Sequence, residues 1–263
     1  MRDAETNWLL VYADSANKLI TWLRSKTQIL GIMRDVQEAS GRIPLSVIRP
    51  VATRWTAYFL SYQRLLELSW VLRVMIQTPN HHDRMLMGKP ASRAVAQKMI
   101  ETINDGAFWL GLTKITKHLE PLARSSCLLQ SVYTRLDQVP LVFGSLLWEY
   151  SMLKKDVLLS ETIPMIEVIE KSIEKRWAAC DQDVYIAAII LHPLIKMRPF
   201  RNILNRMDVW ALISRLWKRF YPTQPASTLF KEFSDYLDST GNFRGLDPYA
   251  QQIHTMAEEL VGI

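Results

Sequence analysis

The sequence predicts an all-α protein, an irregular multi-helix bundle of about ten helices. Three observations lead there. Apolar residues recur near the 3.6-residue period along almost the whole chain. Only 9 glycines occur in 263 residues, which disfavours a glycine-rich β architecture or phosphate-binding loop. Prolines and short polar clusters divide the apolar pattern at helix-length intervals.

Each element follows from its residues. Trp8, Leu9, Tyr12, Leu19, Ile20, Leu23, Leu30 and Met33 predict a helix or helix pair over 4–38, ended by Ser40-Gly41. Pro44 and Pro50 hold 39–52 extended, because proline disfavours helix in the residue before it. Thr53 is a plausible N-cap for a helix with an apolar face from Trp55 through Tyr58, Phe59, Tyr62, Leu65, Leu66 and Leu72, ending near Gln77. Residues 78–90 read as a loop, and Ser92 as the cap of a short helix through Ile103. Phe108, Trp109, Leu112, Ile115 and Leu119 place a helix over about 105–131, kinked or restarted by Pro121. The next runs from about 135 to 153, with Pro140 in its first turns.

Ile163, Ile166, Ile169, Ile173 and Trp177 form a stripe on the following helix. Asp181 or Asp183 caps another, which Pro193 stops. A basic loop over 192–205 leads to helices at about 206–221 and 226–238, and a last amphipathic helix follows Pro248. No repeat of constant period is present. The chain reads as a single helical domain over 1–263, with a minor C-terminal helical subregion at 226–263.

Composition bounds the function. Apolar residues make up 49% and charged residues 22%, enough for a core without disulfide or metal staples. Cys127 and Cys180 lie far apart and outside any CxxC, which fits a reducing compartment. No apolar run reaches the ~18 residues of a membrane span. The N-terminus lacks the apolar region of a secretory signal, so an intracellular protein with no membrane partner is expected. The net charge of +6 is unevenly placed. Residues 1–80 carry a surplus of +4, 81–191 are neutral, 192–221 carry +6, and 222–263 carry −4. That excess fits weak attraction to a polyanion, but alone it does not establish nucleic-acid binding.

The most informative segment is Arg49-Pro-Val-Ala-Thr-Arg-Trp-Thr56, a proline-stiffened strap entering a capped helix. An aromatic beside guanidinium groups can stack on an unpaired base while the cations hold phosphate. Read from the residues alone, Trp55 is better taken as a hydrophobic anchor and Arg49 and Arg54 as solvated. Lys196, Arg198 and Arg201 in the basic loop could contact phosphates, although a plain basic surface is the simpler reading. Metal and catalytic sets are not visible. His81-His82-Asp83 has no second ligand pair, Asp181 and Asp183 read as caps, and Cys127 beside His118 or His192 reads as a buried thiol.

The strap resembles the TRW motif that opens a long helix in the insertion domain of hAT-family DNA transposases. Asn104-Asp-Gly-Ala-Phe-Trp109, His118-Leu-Glu-Pro-Leu122 and the stretch Lys175–Pro193 resemble further blocks of that family in the same order, closest in flavour to fungal elements. The likeness spans nearly the whole chain. It implies an insertion-domain fragment of an RNase H-like transposase, a nuclear location, and binding to transposon-end or flanking DNA. Arg54 and Trp55 would lie near the active site, with the indole stacked on a displaced base. The family's two aspartates precede this region and its glutamate follows it. The chain is therefore expected to be catalytically inactive alone, with no catalytic or metal residues of its own. Mg or Mn is expected only for the complete transposase. Self-association is a further expectation, and no small-molecule substrate is implied. The competing expectation is a domesticated or decaying helical scaffold for protein interactions, with no DNA role.

Overall fold

A computed structural model describes residues 7–51, 55–246, 248, 249 and 252. Among the described residues the protein is all-helical, with twelve α-helices, short 3-10 turns and no strand. In order the helices are α1 Asn7–Arg24, α2 Thr27–Ala39, α3 Trp55–Glu67, α4 Ser69–Gln77, α5 Pro79–Met85 and α6 Pro90–Asn104. Then come α7 Gly106–Leu129, α8 Gln138–Leu153, α9 Ile163–Ala178, α10 Gln182–Ile190, α11 Arg206–Phe220 and α12 Phe230–Asp238.

The higher helix number has local causes. The predicted helix over 53–77 is two, α3 and α4, parted by a single turn at Leu68. The segment after Thr78 was expected as a loop, yet Pro79 occupies the first position of α5. Proline there is pre-set for helix, and its missing N–H costs nothing. The same holds for Pro90, which starts α6 two residues before the predicted Ser92 cap. Pro121 sits inside α7 without ending it.

The chain divides into two compact units. The first comprises the described parts of Met1–Cys127 with Glu149–Glu167; the second comprises Leu128–Trp148 with those of Val168–Ile263. Helical periodicity shows which face of a helix is buried but not which helices share a core.

The core of the first unit is built from α1, α2, α3, α4 and α6 with the end of α5 and the start of α7. Leu19, Ile20, Leu23, Ile32, Leu65, Leu72 and Ile103 are each fully buried. Each such side chain contributes about 1.5–3 kcal/mol relative to exposure. Gly111 lets α7 approach α1 closely, since a Cβ there would stand 2.3 Å from the Tyr12 ring.

The core of the second unit joins α10 (Ala187, Ile190), α11 (Val209, Leu212, Ile213) and α12 (Phe233). Asn205 starts α11 with a reciprocal capping box: its side chain accepts from Met207 N and Asp208 N, and Asp208 accepts from Asn205 N at 2.9 Å. Trp210 packs edge-on against Phe230 at 4.9 Å. Asp181 or Asp183 is the expected cap of α10. No side-chain cap forms at Asp181, and both carboxylates pair with α11 instead.

Candidate functional site

Residues 42–51 have no regular secondary structure, so their peptide groups need partners outside a helix or sheet ladder. Four successive carbonyls find them in four different side chains. Leu45 O accepts from Gln37 Nε2 at 3.2 Å, Ser46 O from Arg64 Nη1 at 3.0 Å, and Val47 O from Arg24 Nη1 at 2.6 Å. Ile48 O accepts from Ser61 Oγ. Leu45 N–H donates back to Gln37 Oε1 at 2.8 Å, so the Gln37 amide pairs with the strap as a neighbouring strand would. Val47 plugs into the core, and the Arg42 guanidinium lies 4.4 Å over the Trp70 ring.

The strap is therefore tied to α1, α2, α3 and α4 before it reaches Arg49. Arg49 is exposed and has no ion pair among the described residues. Two residues later, at Val51, the described strap ends. Thr53 and Arg54 lie outside the described residues, as does the side chain of Trp55. Trp55 is the first residue of α3, where the motif predicts a helix to open.

The second predicted group lies in the other unit. Lys196 takes a left-handed backbone, φ 47°, and its Nζ donates to Ser239 Oγ at 2.5 Å while lying 5.3 Å from the Tyr236 ring centroid. Ser239 caps α12 and is also left-handed, φ 55°. Lys196 is thus held against α12 within its own unit. Arg198 and Arg201 are exposed around the 3-10 turn Arg198–Phe200. The three-residue repeat of that turn brings positions three apart onto one side.

Much of the remaining basic charge is neutralised internally. Arg206 grips Asp238 through both terminal guanidinium nitrogens, with Nη1 to Oδ2 at 2.9 Å. Arg215 holds Asp183 bidentately at 2.8 Å, and Arg219 reaches Asp181 at 2.5 Å. These guanidiniums hold the Asp183 and Asp238 carboxyls below the usual range, chiefly by hydrogen bonding. Among the described residues, Arg198, Arg201 and Lys218 are the cations of 192–221 without such a pair.

A buried polar group in the first unit is structural in its geometry. His118, 3% exposed, shares a 2.8 Å hydrogen bond between Nε2 and Thr162 Oγ1, and that hydroxyl donates to Leu159 O at 2.7 Å. The hydroxyl proton is thereby committed, so Nε2 carries the ring proton and Nδ1 is left as a buried acceptor without a partner. Burial pushes the imidazole down to about 4. The Tyr150 hydroxyl donates to His118 O at 2.7 Å, and burial raises its phenol. Lys114 and Lys117 pair with Glu161 at 2.8 Å and Asp156 at 2.5 Å. Cys127 is exposed rather than buried, because it lies in the last turns of α7 beyond the packed part of that helix. His118 and Cys127 therefore form no dyad.

Among the described residues no group of three or more His, Cys, Asp or Glu could hold a metal ion, and no helix is long and apolar enough to cross a membrane. His82 Nδ1 stands 3.8 Å from Asp83, an isolated contact. No family model matches the chain, and no curated protein or solved structure matches it either.

The residues that fix the strap are not among the site residues that the sequence predicts. Gln37 carried a signal: it continues the buried face of Ile29, Ile32, Met33 and Val36 on α2. A polar side chain at such a position needs a partner. Arg24, Ser61 and Arg64 carried none, because exposed-looking polar residues on amphipathic helices are ordinary.

Proposed function

We propose that the chain is a helical DNA-binding module of hAT-transposase type, with the strap and the start of α3 as its contact surface. The observation that carries this reading is the fourfold tethering of carbonyls 45–48, which presents Arg49 on a pre-ordered segment leading into the Arg54-Trp55 pair. A segment ordered before binding loses less conformational entropy when it engages phosphate. Arg198 and Arg201 supply a second, sequence-independent phosphate contact. Nuclear location and a link to a complete transposase, with Mg or Mn in its catalytic half, belong to the same proposal.

The test is binding of the purified chain to a DNA hairpin with an unpaired base and to a fully paired duplex. The hairpin binds more tightly, and Trp55→Ala removes that preference while leaving duplex binding in place. Equal binding of both DNAs by the wild type refutes the stacking role.

A second reading, a protein-interaction scaffold, is favoured by the internal pairing of Lys196, Arg206, Arg215 and Arg219. That pairing leaves the 192–221 surface far less cationic than its sequence. Detectable DNA affinity that falls as salt rises separates the two readings.

A further inference from the structure

A polar cleft of about 200 Å³ in the first unit is lined by the α1–α2 corner and by residues around the α5–α6 turn. Among the described residues no Asp or Glu lines it. Lys26 and Arg84 do line it, both half-buried, and neither makes an ion pair or side-chain hydrogen bond among the described residues. Partly burying a cation is costly unless a counter-charge faces it. Thr27 and Gln28, also in the lining, open α2. That helix is 13 residues long, takes no side-chain cap from Lys26 and has no acidic residue in its first turn. Its first N–H groups therefore lack an acceptor within the helix, and nothing in that turn offsets the positive end of its dipole.

A second, independent observation points to an incoming acceptor. Trp22 lines the same cleft and is 6% exposed, and its indole N–H has no hydrogen-bond partner among the described residues. An indole nitrogen only donates, and a buried donor is ordinarily satisfied. Ser92, in the first turn of α6, adds a hydroxyl to the lining. We infer that the cleft binds a phosphate group. Two cations, the N–H groups of a helix start, an indole N–H and a hydroxyl all donate. Such a set suits an anion that only accepts and that offers several oxygens, and a helix N-terminus is an established setting for phosphate. Free phosphate and the backbone phosphodiester of DNA share that chemistry. The inference uses no part of the strap and stands independently of the DNA-binding reading.

Titration of the full chain with inorganic phosphate tests it, at an ionic strength held constant with chloride and followed by amide and indole NMR. The Trp22 indole N–H and the amides of Thr27 and Gln28 should shift together along one saturable curve. Lys26→Gln combined with Arg84→Gln weakens phosphate binding by about tenfold or more, and Trp22→Phe by about threefold. Lys98→Gln, at an exposed lysine of α6 outside the cleft, leaves binding unchanged. Phosphate raises the melting temperature of the wild type but not of the double variant, whose unfolding in chloride stays cooperative. Repeating the titration with saturating paired duplex separates the two sources. Loss of the phosphate response assigns the cleft to a backbone phosphodiester, and its persistence to free phosphate. Equal phosphate affinity in the wild type and the double variant overturns the inference. So do shifts that chloride alone reproduces, or a Trp22 indole N–H that does not move.

Discussion

Replacing Gln37 with alanine removes the only side chain that both donates to and accepts from the strap among the described residues. Gln37 is 2% exposed and makes three hydrogen bonds: Nε2 to Met33 O at 3.0 Å, Nε2 to Leu45 O at 3.2 Å, and Oε1 from Leu45 N at 2.8 Å. Each is worth about 1 kcal/mol net. Freeing the long side chain returns roughly 1.5–2 kcal/mol of rotamer entropy. The expected loss is therefore about 1–1.5 kcal/mol, read as a drop in the urea midpoint at unchanged m-value. Gln37→Glu keeps the acceptor for Leu45 N–H but sets a carboxylate oxygen against the Met33 and Leu45 carbonyls. It should cost more than alanine at pH 7 and recover toward pH 4. Amide exchange at Leu45 should accelerate in both variants while the buried stretch of α4 stays protected. A loss under about 0.5 kcal/mol, with Leu45 exchange unchanged, refutes the claim that Gln37 orders the strap.

Three further outcomes follow from other parts of the fold. His118 is held neutral in the folded state, with its imidazole near 4 against an ordinary 6.5, so the unfolded chain takes up the proton first. Its stabilising effect is complete above pH 6.5 and is lost as pH falls toward 4. Wild type should lose about 2–3 kcal/mol more than His118→Gln between pH 7.5 and 4.5 in parallel urea titrations, and equal losses contradict the assignment. At Lys196 both Lys196→Ala and Lys196→Gly forfeit the Ser239 contact, but only glycine is at ease at φ 47°. The glycine variant should be more stable by about 1 kcal/mol, and the reverse order removes the strain argument. Gly111→Ala should destabilise by about 1–3 kcal/mol through its clash with Tyr12, whereas Gly144→Ala, which meets open space on α8, should stabilise by roughly 0.5–1 kcal/mol. Thermal unfolding of the two variants decides; shifts of the same sign contradict the packing.

The helices were legible because their cores are strongly periodic. The apolar spacings of Trp8 to Met33 and of Ile163 to Trp177 mapped onto α1, α2 and α9. Turn chemistry was less legible, since Pro79 and Pro90 can break a helix or begin one, and only the surrounding packing decides. At the site, the extended strap followed from Pro44 and Pro50. Its tethers did not, because they depend on Arg24, Ser61 and Arg64 reaching across 13–23 residues of sequence. Basic charge was the least legible feature. Counting Lys and Arg over 192–221 gives the charge without the partners, and Asp181, Asp183, Asp238 and Ser239 occupy four of the seven basic side chains.

The central claim is that a pre-ordered strap holds Arg49 against DNA phosphate. It is tested most directly by the slope of log K against log salt for hairpin binding, measured for the wild type and Arg49→Ala. One lost phosphate contact should weaken binding and make the slope shallower by about 0.9. Identical slopes and affinities for the two proteins, or a wild type that does not bind DNA at low salt, contradict it.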